Sequence, residues 1–202
     1  MIFHVFSAIG RTGSWRVCKL LSNSYREHTM KFQNSFRDPA DEHFCHHVHT
    51  LSTELLPDAI PILSTRAVRK DAALSSIIAE KTNQWRPENQ KANLSPFTVD
   101  EGYYNYKVFK MIQQEKEFIK RFNPIVIYLE DTVETVEAKI SNALEIEFKC
   151  PYPESDKIFI SKYPPKDYII NYSKLPHWRP SQIPRNFESS LPYEQQEIVL
   201  KR

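Results

Sequence analysis

Three short, β-rich apolar segments are each followed by a stretch whose apolar residues recur at helical spacing. The predicted strands cover residues 2–8, 60–64 and 125–129. Strands that alternate with helices pair in parallel, because each crossover returns the chain to the same end of the sheet. The sequence therefore predicts an α/β fold with a central parallel sheet covered on both faces. The predicted helices span residues 15–24, 68–85 and 133–144, and a further long helix ends near residue 122.

Two short patterns predict where helices begin. Residues 98–101 read Thr-Val-Asp-Glu and residues 131–134 read Asp-Thr-Val-Glu, and both have the form of a capping box. Residues 28–48 are polar and rich in histidine, which predicts loops with at most a short helix. From residue 150 onward the texture changes, since eight of the fourteen prolines lie between 151 and 192. We expect one α/β domain over residues 1–149 and a proline-rich extension over 150–202 that packs on it.

Composition limits the classes of partner. The chain has 202 residues with a formal net charge of +2, which gives no reason to expect nucleic-acid binding. Its three cysteines are far apart, which favours a reducing compartment over a disulfide framework. The apolar start is too short to span a bilayer and lacks the features of a signal peptide. We expect a cytoplasmic protein that has no membrane contact.

The loop after the first strand combines features of an anion site. It reads SAIGRTGSW over residues 7–15 and holds Gly10 and Gly13, two of only three glycines in the chain. A loop that enters a helix points backbone N–H groups and the positive end of the helix dipole outward, and Arg11 adds a bidentate cation. A plain tight turn with a solvated arginine is the alternative.

A second basic segment follows the predicted strand at 60–64. Arg66 leaves the end of this strand, and Ser75 lies nine residues later on the next helix. One cation and one hydroxyl that converge could hold a second phosphate, although a surface ion pair and an ordinary small helix residue are the simpler alternatives. The Walker pattern GxxxxGK[ST] is absent because no lysine follows Gly13, which argues against a magnesium–nucleotide kinase.

These motifs resemble one family. "RTGS" after the first strand is similar to the 5′-phosphosulfate loop of sulfotransferases that use 3′-phosphoadenosine 5′-phosphosulfate (PAPS). "STRAVRKDAALSSIIAEKTNQW" resembles their 3′-phosphate segment, and the chain from "NYKVFK" to "ALEI" resembles the later helix–strand–helix of the bacterial branch. That branch includes the trehalose and nodulation-factor sulfotransferases, and the likeness covers about residues 1–146.

The resemblance implies a P-loop-like three-layer α/β sandwich and PAPS as the donor. It implies that the 5′-phosphosulfate is bound by Arg11, Thr12, Gly13 and Ser14, and the 3′-phosphate by Arg66 and Ser75. The stretch between the two donor motifs is short for an enzyme that must also build an acceptor pocket. The glycine-rich motif that many eukaryotic members carry near the C-terminus is absent.

Sulfuryl transfer needs a general base, because the acceptor hydroxyl loses its proton as it attacks. The resemblance allows histidine or glutamate in this role. We favour His49, which ends a predicted short strand, and place Glu42 second; Arg11 is expected to stabilise charge on the leaving phosphate. The nearby histidines and Cys45 fit no closed zinc pattern, so we expect no metal site.

The sequence thus predicts transfer of a sulfuryl group from PAPS to a hydroxyl of a carbohydrate or small metabolite. Two alternatives stay open. One is a kinase-like P-loop enzyme that binds nucleotide, and the other is an inactive sulfotransferase-like module that binds the donor without turnover.

Overall fold

The computed structural model describes residues 1–10, 12–22, 24–27, 44–49, 51, 54–82, 95–151 and 164–182 of the chain. The strands are β1 Ile2–Phe6, β2 Ser24–Glu27, β3 Phe44–Val48, β4 Ile60–Thr65 and β5 Ile125–Tyr128. The helices are α1 Ser14–Leu21, α2 Arg69–Thr82, α3 Glu101–Phe122, α4 Val133–Leu144 and α5 Pro165–Tyr168. Short 3₁₀ turns cover Tyr172–Lys174 and Pro180–Gln182. No helix in these described stretches combines the length and apolar character needed to cross a bilayer.

The five strands form one sheet in the order β2-β3-β1-β4-β5, and every neighbouring pair is parallel. The prediction of an α/β fold with a parallel sheet is confirmed. Because all strands run the same way, the loops that follow them leave from one edge of the sheet. The first strand lies at the centre, between β3 and β4.

The chain divides into two compact units, and each unit is assembled from two separate stretches. The sheet unit comprises Met1–Ala67 and Gln114–Ile160, and the helical unit comprises Val68–Gln113 and Ser161–Arg202. Neither unit has a boundary at residue 150. The prediction of a domain over 1–149 with an extension over 150–202 stays a prediction.

Side chains pack on both faces of the sheet unit. Phe3 and Val5 of β1 lie in an apolar cluster with residues of α1 and α4. Because side chains alternate along a strand, Phe6 points to the opposite face, where its ring stacks on Phe118 of α3 with centroids 4.5 Å apart. Helical residues therefore cover the sheet on both sides, as in a three-layer sandwich. The cluster on the first face also contains Val17, Cys18, Leu20, Leu21, Cys45, Ile62, Ile127, Val136, Ile140, Phe148 and Cys150.

The helical unit is held partly by side chains that donate to main-chain carbonyls. Tyr104 of α3 is buried, and its hydroxyl donates to Pro176 O at 2.6 Å. Lys70 of α2 donates to Leu175 O at 2.6 Å, and burial lowers the pKa of its ammonium group. Within this unit the C-terminal segment thus satisfies two polar groups that burial would otherwise leave unpaired.

Two strands differ from the sequence-based expectation. The chain was predicted to be helical to residue 24 and to form loops over 28–48, but α1 ends at Leu21 and β2 begins at Ser24. β3, with the sequence FCHHV, lies inside the stretch predicted as loop. The histidines make this segment polar, so its composition does not indicate a strand. It forms a strand because of the strands that lie next to it in the sheet.

Both predicted helix caps are displaced by one or two residues. The Asp100 carboxylate accepts a hydrogen bond from Tyr103 N at 2.7 Å, so Asp100 rather than Thr98 caps α3. At α4 the cap is Thr132, whose hydroxyl accepts from the N–H of Thr135, and not Asp131. Asp131 is engaged elsewhere, because its carboxylate accepts from Tyr128 N at 2.8 Å and pairs with a lysine.

Candidate functional site

The backbone of the loop between β1 and α1 requires a glycine at position 13. Gly13 has φ +84°, in the left-handed region that other residues avoid. A Cβ added to Gly13 would also collide with the side chain of Leu129, which follows β5. The backbone of the loop therefore passes directly against the neighbouring turn.

The N-terminus of α1 has no side-chain cap. Gly13 occupies the capping position, where it has no side chain to bond the first turn, and that turn contains no acidic residue. The first backbone N–H groups of a helix have no partner within the helix, and they carry the positive end of its dipole. The backbone N–H groups at the N-terminus of α1 can thus donate to an acceptor that lies outside the helix.

Thr12, directly before this terminus, is completely buried, and its hydroxyl has no hydrogen-bond partner among the described residues. Leaving a buried hydroxyl unpaired costs about 1–3 kcal/mol. Ser64, the penultimate residue of β4, donates to the backbone carbonyl of Thr12 at 3.4 Å. The loop after β1 and the end of β4 are therefore in direct contact, with an unsatisfied polar group between them.

Arg66 follows the end of β4 and lies beside a carboxylate. Its Nε is 3.7 Å from Oε1 of Glu130, and Oε2 of Glu130 accepts from Ala67 N at 3.1 Å. The Arg66 side chain is 17% exposed and that of Glu130 is 43% exposed. A partly exposed ion pair of this kind contributes about 0.2–1 kcal/mol, so a ligand with several negative charges can compete for the arginine.

The two basic segments leave the same edge of the sheet from adjacent strands. Phe6 of β1 is in register with Leu63 of β4, which places the following loops side by side. β1 connects to β2 on one side of the sheet and β4 to β5 on the other. In open parallel sheets ligands bind where neighbouring connections diverge in this way. We call this region the β1–β4 edge; it comprises the described residues 7–10, 12–14 and 64–67.

His49, the favoured base, follows β3 on the other side of β1 and is exposed. Its Nδ1 is 2.8 Å from the hydroxyl of Ser7 and 3.0 Å from the carbonyl oxygen of Ser7. The same hydroxyl is 3.5 Å from Nε2 of His47, which is buried. His49, the candidate base, therefore contacts Ser7, the first residue of the β1–β4 edge.

Burial keeps His47 neutral. Loss of solvation, followed by repulsion from His49, His46 and His4, lowers the pKa of His47 well below its ordinary value. His4 and His46 contact each other through their Nδ1 atoms at 3.3 Å, and alternation along the strands puts this pair on the opposite face of the sheet. Within the described part of the chain, no group of three or more His, Cys, Asp or Glu side chains is arranged to hold a metal ion.

The remaining predicted site residues are placed as follows. Arg11 and Glu42 lie outside the described residues. Ser14 is the first residue of α1 and is buried. Ser75 belongs to α2 in the helical unit, where it is buried as well.

Several contacts at this edge had no signal in the sequence. Arg16, in the first turn of α1, is buried and donates to Leu129 O at 3.3 Å and to Asp131 O at 2.8 Å. The buried hydroxyl of Thr65 donates to the buried carboxylate of Glu115. A charged residue within a helix usually indicates a solvated face, so only the folded chain reveals these pairings.

No family model, curated protein or solved structure matched the chain. The function is therefore inferred from the site itself.

Proposed function

We propose that this protein is a sulfotransferase with a P-loop-like fold that uses PAPS as its donor. The observation that carries the proposal is the β1–β4 edge itself. There the N-terminus of α1, where Gly13 provides no side-chain cap, and the Thr12 hydroxyl, which has no partner among the described residues, adjoin the strand that leads to Arg66. Donors on adjacent parallel strands suit a ligand that is anionic at both ends.

The 5′-phosphosulfate is assigned to the loop that precedes α1. Its anionic oxygens accept from the backbone N–H groups at Gly13 and Ser14, from the hydroxyl of Thr12 and from the guanidinium of Arg11. A phosphate oxygen would give the buried Thr12 hydroxyl the partner that the described residues do not supply. Phosphate groups at helix N-termini gain from both the free N–H groups and the helix dipole.

The 3′-phosphate is assigned to Arg66. Binding exchanges the long contact between Arg66 and Glu130 for charge-assisted hydrogen bonds to phosphate, which are stronger. The position of Arg66 at the end of a strand next to β1 supports this role.

Sulfuryl transfer then proceeds by in-line displacement. The acceptor oxygen forms a bond to sulfur while the bond from sulfur to the 5′-phosphate oxygen breaks. The electron pair of the broken bond stays on the phosphate, where the loop N–H groups and Arg11 stabilise it. The acceptor proton moves to His49, with Glu42 as the second candidate. The acceptor is a hydroxyl of a carbohydrate or small metabolite.

A kinase-like P-loop enzyme is the alternative, and it is less well supported. Such enzymes need a cation from the start of the helix that reaches the terminal phosphates. The basic residue at the start of α1 is Arg16, but its guanidinium is bonded to the carbonyls of Leu129 and Asp131. An inactive donor-binding module is the other alternative, because the stretch between the two donor motifs is short.

Calorimetric titration with adenosine 3′,5′-bisphosphate (PAP, the desulfated donor) and with Mg–ATP separates these functions. We expect one PAP bound per chain and much weaker binding of Mg–ATP. Tight binding of Mg–ATP without PAP binding would establish the kinase alternative instead. An inactive module would bind PAP but would release no sulfuryl group from labelled PAPS to any of a panel of sugars.

A further inference from the structure

Ser7 makes two polar contacts with one histidine and a third with another. It is completely buried, and its N–H extends the pairing of β1 with β3 by donating to Val48 O at 3.1 Å. Its carbonyl oxygen lies 3.0 Å and its hydroxyl 2.8 Å from Nδ1 of His49. The backbone of Ser7 is thus fixed by the sheet, and both of its oxygens face the same ring nitrogen.

These contacts determine which nitrogen of His49 carries the proton in the neutral ring. A carbonyl oxygen can only accept a hydrogen bond, so Nδ1 must be the donor. The opposite tautomer would place the lone pair of Nδ1 against the lone pairs of the carbonyl oxygen at 3.0 Å. With the hydrogen on Nδ1, the lone pair is on Nε2.

The hydroxyl of Ser7 can accept a share of the same hydrogen, since it lies at 2.8 Å from Nδ1. Its own hydrogen is then directed to Nε2 of His47, which is 3.5 Å away. A neutral ring has one nitrogen that accepts, and burial together with the neighbouring histidines keeps His47 neutral. The Ser7 hydroxyl can therefore donate to His47 while it accepts from His49.

We propose that Ser7 is a positioning residue that holds His49 in the Nδ1–H tautomer and so leaves Nε2 as the proton acceptor. The consequence for sulfuryl transfer rests on the proposed function, in which His49 is the base. The tautomer itself does not depend on any ligand. It can therefore be tested whether or not the protein binds PAP.

The test is a long-range ¹H–¹⁵N spectrum of the histidine rings in the ¹⁵N-labelled full chain, recorded at about pH 8 so that imidazoles are neutral. The ring of His49 is assigned by the signals that disappear in His49→Asn, a change at an exposed position. In the wild type we expect a protonated Nδ1 and an unprotonated Nε2. Protonation at Nε2 in the wild type would overturn the proposal. Once His49 is assigned, this outcome is measured on the wild type and needs no further variant.

Ser7→Ala removes the hydroxyl but keeps the carbonyl. We expect Nδ1 of His49 to stay protonated, because the carbonyl oxygen of Ser7 still accepts from it, and its chemical shifts to change, because the second acceptor is lost. Ser22→Ala is the matched control, since Ser22 is another buried serine, whose hydroxyl donates to Cys18 O at 2.8 Å; it should leave the ring unchanged. An unaltered His49 spectrum in Ser7→Ala would also contradict the proposal. Failure of PAP to bind would instead contradict the proposed function.

Discussion

At the scale of single residues, the β1–β4 edge is assembled from polar groups whose partners are incomplete or shared. The hydroxyl of Thr12 is buried without a partner among the described residues, and the charge of Arg66 is shared with a half-exposed carboxylate. Buried polar groups are ordinarily satisfied, because leaving one unpaired lowers stability. Groups of this kind fit a site whose ligand completes the hydrogen bonding.

Thr12→Val tests this interpretation, because valine has nearly the shape of threonine without its hydroxyl. We expect the free energy of unfolding to rise by about 1 kcal/mol, since an unpaired buried hydroxyl is removed. Affinity for PAP should fall at the same time. Thr65→Val is the matched control: Thr65 is equally buried, but its hydroxyl donates to Glu115, so this variant should be destabilised. Chemical denaturation measures the free energy of unfolding of both variants. Destabilisation of Thr12→Val would argue against an unpaired Thr12 hydroxyl that binds a ligand.

Glu130→Gln tests the competition for Arg66. The glutamine keeps an oxygen for Ala67 N but removes the negative charge beside the guanidinium. Because a partly exposed ion pair contributes about 0.2–1 kcal/mol, the affinity for PAP should rise up to about fivefold. Calorimetry at fixed ionic strength measures the change. A weaker complex would mean that Glu130 helps to bind the ligand rather than competing with it.

At the scale of elements, the loop that enters α1 depends on one backbone conformation. Gly13→Ala should lower the free energy of unfolding by about 1–2 kcal/mol, because a left-handed residue with a side chain is strained. Displacement of Leu129 adds to this loss. Gly102→Ala, in the first turn of α3, is the control and should lose less stability, since alanine favours helix although its Cβ would lie 3.2 Å from the capping carboxylate of Asp100. Equal stability of the Gly13 variant and the wild type would show that the loop conformation is not constrained.

Local sequence patterns predicted most helices and strands but not which strands lie next to each other in the sheet. β1, β4, β5, α3 and α4 were located within about two residues, because their apolar spacing is itself periodic. β3 was predicted only as a short strand that ends at His49, without bounds, because its histidines are polar, and its pairing with β1 joins residues about forty positions apart. The strand order could not be predicted for the same reason.

The residues of the candidate site were likewise predicted only in part. Arg66 and the glycine loop were predicted as ligand-binding segments because each follows a predicted strand. Ser7, Arg16 and the contact between Arg66 and Glu130 were not predicted, since their partners lie far along the chain. Position in a strand–loop–helix unit is a local property, but the partner that orients a side chain is not.

At the scale of the whole molecule, the buried His47 of β3 links stability to pH. The lowered pKa of His47 means that the unfolded chain, where histidine titrates near 6.5, takes up a proton before the folded chain does. The free energy of unfolding is therefore constant above about pH 6.5 with respect to this group and falls as the pH drops below it. The slope should approach about 1.4 kcal/mol per pH unit for one proton.

His47→Gln should flatten this slope, while His177→Gln, at an exposed position of the helical unit, should retain it. Loss of solvation is the largest cause of the lowered pKa of His47, and repulsion from His49, His46 and His4 adds to it, so the slope belongs to His47. Denaturation curves collected between about pH 5 and pH 8 measure it. An unchanged slope in His47→Gln would contradict the assignment.

The central claim is that the loop after β1 and Arg66 bind opposite ends of one nucleotide. Calorimetric titration of the wild type and Arg66→Ala with PAP and with adenosine 5′-monophosphate tests it directly, with Arg121→Ala as a control for the loss of one guanidinium. Removal of a charge-assisted hydrogen bond should weaken PAP binding by about tenfold to a hundredfold. Binding of the monophosphate, which lacks the 3′-phosphate, should be unchanged. Equal losses for both nucleotides, or no loss for either, would contradict the claim.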